Sequence, residues 1–214
     1  MKKKGLLGFY DYTVVLTYCG MLLGLLGVIL AMSESFTLAI LCLMGAGVCD
    51  TFDGAVASTK KNRTDEERRF GIQIDSLCDL VSFGVMPGLF LYCFMGRSVL
   101  GAVVGLAFAL CGLIRLAYFN VTEEQRQTET TERRKFYQGV PITMVSLLLP
   151  LIYILYQLFS FSPYIVLGVM ALLALCFILP VKLPKAHGVW QLLLLGLGVL
   201  EGGALLAIHF ILKV

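Results

Sequence analysis

The segment FTLAILCLMGAGVCDTFDGAVA, Phe36 to Ala57, decides the fold. It exceeds the about 20 mostly apolar residues that a helix needs to cross a bilayer, so it predicts a membrane-spanning helix. Two acidic residues, Asp50 and Asp53, nevertheless lie near its end. An Asp at the centre of a span costs about 2.5 to 3.5 kcal/mol on insertion scales, and ionisable residues in spans usually mark a functional site. The segment therefore predicts a membrane protein with a polar site inside it.

Six further apolar segments predict further spans. They run from Tyr12 to Met32, Ile72 to Met95, Ser98 to Phe119, Val140 to Phe159, Pro163 to Pro180 and Val189 to Leu212. Together with Phe36 to Ala57 they predict an all-α fold, a polytopic bundle of membrane helices. Because little sequence remains between them, we expect residues 1–214 to form one membrane-embedded domain. Gly20 and Gly24 in the first span, and Gly198 and Gly202 in the last, match the G-x-x-x-G pattern of close helix packing.

Composition and charge agree with a membrane protein. Hydrophobic residues make up 58% of the chain and charged residues 14%, whereas a soluble domain carries about 25% charged residues. Most of the 17 Lys and Arg lie near the N-terminus or in Ser58 to Arg69, Asn120 to Gln138 and Val181 to Gly188. Because cytoplasmic loops collect positive charge, we expect the N-terminus and these loops in the cytoplasm. The expected surroundings are the lipid bilayer of the cytoplasmic membrane, and nucleic acid is not expected as a partner.

Four carboxylates fall on two neighbouring spans. Asp50 and Asp53 are three residues apart, Asp75 and Asp79 are four apart, and such separations place side chains on one face of a helix. The second span runs inward and the third returns, so both pairs are expected at the cytoplasmic face. Four neighbouring carboxylates cannot all remain ionised unaided, because like charges disfavour one another.

A divalent cation would remove that repulsion. Oxygen ligands suit Mg²⁺ or Mn²⁺, and two such ions are suited to displacement at phosphorus. An alternative is a structural network in which the acids pair with basic residues of the following loop, namely Lys60, Lys61, Arg63, Arg68 and Arg69.

The acidic segments also carry a family motif within residues 50–79. The run Asp50-Thr-Phe-Asp53-Gly54-Ala-Val-Ala57 with Gly71-Ile-Gln-Ile-Asp75-Ser-Leu-Cys-Asp79 resembles the CDP-alcohol phosphatidyltransferase signature D-x-x-D-G-x-x-A-R-x(8,9)-G-x-x-x-D-x-x-x-D. The continuation Leu80-Val-Ser-Phe-Gly84-Val-Met-Pro87, then Arg115-Leu-Ala-Tyr-Phe-Asn120-Val and Gly139-Val-Pro141, is similar to the bacterial and archaeal phosphatidylserine synthase branch. The resemblance implies a six-span core, to which Val189 to Leu212 would add a seventh span.

The resemblance also implies roles for the matching residues. Asp50, Asp53 and Asp75 would bind the metal pair, and Asp79 would contact metal and act as general base. Gly54, Ala57 and Gly71 would line the pocket of the cytidine nucleotide. The implied reaction moves the phosphatidyl group from CDP-diacylglycerol to L-serine and releases CMP. A homodimer is also implied.

Two departures from the motif affect the donor site. Ser58 stands where the signature has Arg, and the segment between Ala57 and Gly71 is longer than usual. Lys60, Lys61 or Arg63 would then contact the pyrophosphate. Tyr118 replaces a second Arg near the acceptor side.

Acceptor binding is assigned to three polar residues. Arg115 lies inside a span, where a guanidinium fits a carboxylate or phosphate in a bidentate fork. Asn120 and Gln138 are expected near the same face.

Three alternatives stay open at this point. The first is the same chemistry with glycerol-3-phosphate or an inositol phosphate as acceptor. The others are a cation transporter, in which the acids line an ion path, and a catalytically inactive scaffold. Glu201 is a further acidic residue in an apolar segment, the last span. Two hypotheses stay open for it: a hydrogen bond between helices, or a role that the motif does not assign.

Overall fold

The computed structural model describes residues 7–129, 136–184 and 189–212. Helices account for almost all of this part, so the predicted all-α bundle is confirmed. The order is α1 (Tyr12–Met32), α2 (Phe36–Ser58), α3 (Asp65–Asp79), a π-helical turn (Leu80–Val85), α4 (Met86–Phe94), α5 (Val99–Glu129), β1 (Phe136–Gln138), a 3₁₀ turn (Ile142–Met144), α6 (Val145–Phe159), α7 (Pro163–Ile178), β2 (Lys182–Pro184) and α8 (Val189–Leu212).

Helix α3 begins inside the polar stretch that follows α2. The Thr64 side chain accepts a hydrogen bond from the Glu67 backbone N–H, and the Glu67 carboxylate accepts one from the Thr64 N–H. This capping box satisfies two backbone donors at the helix start. Asp65 and Glu66 add negative charge to the first turn, which favours the positive end of the helix dipole. Helix α3 therefore begins seven residues before Ile72, the start of the predicted span.

Helix α5 also extends beyond its predicted span, which ended at Phe119. It continues to Glu129 through the segment Asn120-Val-Thr-Glu-Glu-Gln-Arg-Gln-Thr-Glu129. Glu, Gln and Arg are good helix formers, so a helix that leaves the apolar layer can continue in water.

A π-helical turn joins α3 to α4. The Met86 N–H donates to the Val81 carbonyl, five residues back. At this turn Ser82 is buried, its Oγ donates to the Gly20 carbonyl at 3.3 Å, and a Cβ on Gly24 would lie 2.5 Å from that Oγ. The prediction that Gly20 and Gly24 serve close helix packing is confirmed, with α3–α4 as one of the packed partners.

In the described residues, six spans meet the length and apolarity needed to cross a membrane, when α3 and α4 are taken as one continuous helix and the 3₁₀ turn is counted with α6. Helix α7, with 16 residues, is a shorter apolar helix. A short loop joins the end of α6 to its start, and beyond its end β2 pairs with β1, which precedes α6. The Val140 N–H also donates to the Cys176 carbonyl. Helices α6 and α7 therefore form a hairpin, and a crossing of the membrane by α7 stays a prediction.

The sides of the bundle are apolar and exposed. Large apolar side chains face outward on every long helix, for example Leu22, Ile29, Leu106, Leu200 and Phe210. Exposed apolar area of this extent is not tolerated in water and is suited to lipid. The chain is a multi-pass membrane protein.

An aromatic cluster fills the end of the bundle remote from the motif. Phe90 and Phe94 stack with ring centroids 5.6 Å apart, and Phe36 and Tyr153 meet them edge to face. Phe36 begins α2, whereas Asp50 and Asp53 lie in its last turns. The packed end and the acidic end of α2 are thus separated by most of the length of the helix.

Helix α8 packs on α2 and α6. A Cβ on Gly198 would lie 3.5 Å from Leu147, and one on Gly202 would lie 3.7 Å from Met44. Between these contacts Glu201 is buried, and neither of its carboxyl oxygens has a hydrogen-bond partner in the part of the chain that the structure describes. The helix-to-helix hydrogen bond considered for Glu201 is not observed there.

Candidate functional site

Helices α2 and α3 bring the predicted carboxylates together. Asp50, Asp75 and Asp79 each offer one carboxylate oxygen, and these oxygens lie within 4.8 Å of one another. Across the two helices, the Asp50 side chain contacts Asp79, and the Asp53 side chain contacts Asp75. The spacing of three and four residues therefore places the acids on facing sides of α2 and α3, as the sequence predicts.

The donor set fits a hard divalent cation. Oxygen ligands of Mg²⁺ lie about 2.0 to 2.1 Å from the ion in octahedral geometry, so two on opposite sides are about 4 Å apart. The oxygens of Asp50, Asp75 and Asp79, within 4.8 Å of one another, are close to that separation. This acidic cluster is therefore able to hold a metal ion.

Asp53 has an additional contact. Its Oδ2 accepts a hydrogen bond from Thr17 Oγ1 on α1 at 3.1 Å. Both side chains are buried, with 9% of Asp53 and 8% of Thr17 exposed. A narrow crevice between α1, α2 and the π-helical turn is lined by Thr17, Asp50, Asp53 and Asp79 among others.

Lys60 has partners outside the acidic cluster. Its Nζ lies 2.6 Å from Asp11 Oδ2 and 2.8 Å from Glu67 Oε1. The hydrogen bond from Lys60 lowers the pKa of Asp11 to about 2, and the two carboxylates raise the pKa of Lys60. Lys60 thus joins the start of α1 to the start of α3. The ion pairs of Lys60 in the described structure are with Asp11 and Glu67, and not with the four motif acids as the structural-network alternative expected.

Arg63 lies against Gly71, one turn before Asp75. A Cβ on Gly71 would lie 2.6 Å from an Arg63 terminal nitrogen, Nη2. The same Nη2 donates to the Glu67 carbonyl at 3.2 Å, while the buried Nε has no hydrogen-bond partner among the described residues. Lys61 is exposed. Of the three basic residues expected at the donor, Arg63 is the one that contacts a motif glycine.

The small motif residues leave space beside the acidic cluster. A Cβ on Gly54 would meet no heavy atom within 4 Å, and Ala57 is half-buried one turn later. The backbone at Gly54 is therefore open to a ligand, whereas the space at Gly71 accommodates Arg63.

Arg115 and Asn120 lie on α5. Arg115 is buried, its Nε donates to the Val140 carbonyl at 3.2 Å, and its guanidinium carbon lies 5.3 Å from the centre of the Phe119 ring. Asn120 exchanges hydrogen bonds with Ser76, at 2.8 Å and 3.1 Å. Since Ser76 follows Asp75, Asn120 reaches the helix that carries two of the acids. The Gln138 backbone lies in β1, and its side chain lies outside the described part.

Thr17, Ser76 and Ser82 contact or adjoin the acidic residues but were not predicted. Each is a hydroxyl residue within an apolar stretch, a type common in helix packing. The sequence carries a signal for Thr17, because Thr13, Thr17, Gly20 and Gly24 recur at spacings of three or four residues on one face of α1, and all four are buried.

Comparison with known proteins agrees with the motif. A family model for CDP-alcohol phosphatidyltransferases matches residues 13–199. The chain belongs to this family. The prediction made from the acidic motif is thereby confirmed, and this phosphatidyltransferase has its motif residues on α2 and α3.

The curated relatives of the phosphatidyltransferase include enzymes named for serine-containing lipids. A CDP-diacylglycerol–serine O-phosphatidyltransferase of Helicobacter pylori is 30% identical over 190 residues, 86% of this chain and 76% of the relative. One of Saccharomyces cerevisiae is 38% identical over 110 residues, 50% of this chain and 38% of the relative. An archaetidylserine synthase of Methanothermobacter thermautotrophicus is 30% identical over 132 residues, 61% of this chain and 52% of the relative. The phosphatidyltransferase thus spans about half or less of the yeast and archaeal proteins.

Proposed function

We propose that this phosphatidyltransferase transfers the phosphatidyl group of CDP-diacylglycerol to L-serine and releases CMP. The observation that carries the proposal is the cluster of Asp50, Asp75 and Asp79, whose oxygens lie within 4.8 Å of one another at one end of the bundle. The names of the relatives support serine as the acceptor.

Asp50, Asp53, Asp75 and Asp79 would hold two Mg²⁺ or Mn²⁺ ions. Bound there, such ions supply charge stabilisation to the phosphate oxygens. The ions would also offset the repulsion between the carboxylates of α2 and those of α3.

Asp79 is the proposed general base. It takes the proton of the serine hydroxyl while the hydroxyl oxygen bonds to the β-phosphorus of the donor. The bond from that phosphorus to the oxygen bridging to the α-phosphate breaks, and CMP leaves with the electron pair. A hydroxyl is a poor nucleophile at neutral pH, so a base within reach contributes about 10² to 10⁴ in rate.

The cytidine nucleotide is proposed to lie over Gly54 and Ala57 and to reach Gly71 beside the Arg63 side chain that lies there. Arg63 is the proposed contact for the pyrophosphate, because its guanidinium lies against Gly71 and its Nε is buried with no described partner. Lys60 is proposed to act indirectly through Asp11 and Glu67. Lys61, being exposed, contributes only long-range charge.

Serine is proposed to bind on the α5 side of the acids. Arg115 would pair with the serine carboxylate, for which a buried guanidinium provides a bidentate fork. Asn120 is supported by its hydrogen bonds to Ser76, and Gln138 follows from sequence alone.

The proposed setting is the cytoplasmic membrane, with the N-terminus and the site at the cytoplasmic face, as the distribution of Lys and Arg indicates. A homodimer is proposed as the working form.

Release of CMP by purified protein tests this function. We expect release with CDP-diacylglycerol, Mn²⁺ and serine, and phosphatidylserine as the lipid product. Faster release with glycerol-3-phosphate or an inositol phosphate would change the acceptor. Absence of release with every acceptor would favour a scaffold, and Mn²⁺ flux into vesicles without release would favour a transporter.

A further inference from the structure

One face of α1 lies directly on the helices that carry the acids. Thr17, Gly20 and Gly24 follow one another at spacings that share a helix face, and all three are buried. A Cβ on Gly20 would lie 3.3 Å from Cys49 Cβ on α2. Helix α1 is therefore close enough to α2 for a short side chain to reach across.

Thr17 is such a short side chain, and it contacts Asp53 on α2. Its Oγ1 donates to Asp53 Oδ2 at 3.1 Å, and less than a tenth of either side chain is exposed. The neighbouring Gly20 carbonyl accepts from Ser82, just beyond Asp79. Helix α1 is thus in contact with α2 and with the π-helical turn that follows α3, and little water can compete with the Thr17 hydroxyl for Asp53.

We propose that Thr17 is a positioning residue for the metal-binding carboxylate of Asp53. The Thr17 hydroxyl donates a hydrogen bond to Oδ2 and fixes the rotation of the Asp53 carboxylate. The carboxylate then faces Asp75 and the other acids. Hydrogen-bond partners of metal ligands commonly change metal affinity about 10- to 100-fold when removed. The inference rests on the proposed metal-binding function and assigns to α1 a role within it.

Binding of Mn²⁺ to the purified full-length protein tests the proposal without turnover. Free Mn²⁺ is followed by its electron paramagnetic resonance signal in a titration. We expect Thr17→Val, which keeps the volume and removes the donor, to weaken Mn²⁺ binding about 10- to 100-fold. Thr17→Ser, which keeps the donor, is expected to bind within about threefold of wild type. Thr17→Ala is measured in parallel, in case the valine variant does not fold, and the same loss is expected.

Thr37→Val is the matched control. Thr37 is also a buried threonine, its Oγ1 lies 3.4 Å from the Tyr153 hydroxyl, and it lies at the opposite end of α2. Its variant should bind Mn²⁺ as wild type does. Wild-type Mn²⁺ affinity in folded Thr17→Val or Thr17→Ala protein would overturn the proposal. Absence of Mn²⁺ binding by the wild type would overturn the metal function itself, and is distinguishable because no variant is involved.

Discussion

Asn120 on α5 is hydrogen-bonded to Ser76 on α3, the residue that follows Asp75. The pair links the helix of the proposed acceptor residues to the acidic cluster. We expect Asn120→Ala and Ser76→Ala each to lower kcat/KM for serine about tenfold, because each leaves the other group without its partner. The double variant should lose little more than either single one, since the two residues act as a unit. Kinetics with serine varied at saturating donor measure this, and fully multiplicative losses would contradict the pairing.

Asp79→Asn should abolish turnover, because an amide cannot accept the proton of the acceptor hydroxyl. Binding of CDP-diacylglycerol should remain, since three acids are left. CMP release and donor binding are measured on the same preparation. A variant that turns over at the wild-type rate would refute the assignment of the base.

Arg63→Ala should reduce kcat/KM for the donor about ten- to hundredfold, because a charge-assisted contact to phosphate is worth about 1.5 to 3 kcal/mol. Lys61→Ala is the matched control, since it removes a neighbouring positive charge that is exposed, and it should stay near the wild-type rate. Ser58→Arg in the Arg63→Ala background should recover part of the loss. Equal kinetics of the arginine and lysine variants would mean that Arg63 makes no donor contact.

Chelation should stop the reaction. Mg²⁺ and Mn²⁺ bound by carboxylates exchange readily, so EDTA should remove CMP release, and added Mn²⁺ should restore it. Undiminished release in EDTA would exclude the metal from the mechanism.

Tags at the two termini should be accessible from opposite sides of the membrane. With the crossing predicted for α7 the chain makes seven crossings, and an odd number places the two ends on opposite sides. Protease protection in sealed vesicles measures this. Tags on one side would mean that α8 does not cross.

The apolar spans and the four acids could be predicted from sequence, because both are local patterns in which composition decides the outcome. The contacts of Lys60 could not, because Asp11 and Glu67 reach it only after α1 and α3 have packed. The contact of Thr17 with Asp53 likewise depends on how closely two helices approach. Sequence spacing predicts which residues share a face, whereas the neighbour opposite that face follows from the packing of the whole bundle.

The π-helical turn from Leu80 to Val85 lies between the acidic part of one span, α3, and its packing part, α4. Across this turn, the sequence positions that share one face of the helix are shifted by one residue. A hydrogen bond over five residues accommodates one residue more than an α-helical turn does. Deleting one residue there would let the turn close as an ordinary α-helical turn, so Asp75 and Asp79 would keep nearly the same orientation relative to α4. A loop could make the same adjustment, but it would leave backbone groups unsatisfied in lipid. The turn therefore allows this span to absorb a length difference of one residue between its acidic and packing parts while it stays unbroken within the membrane.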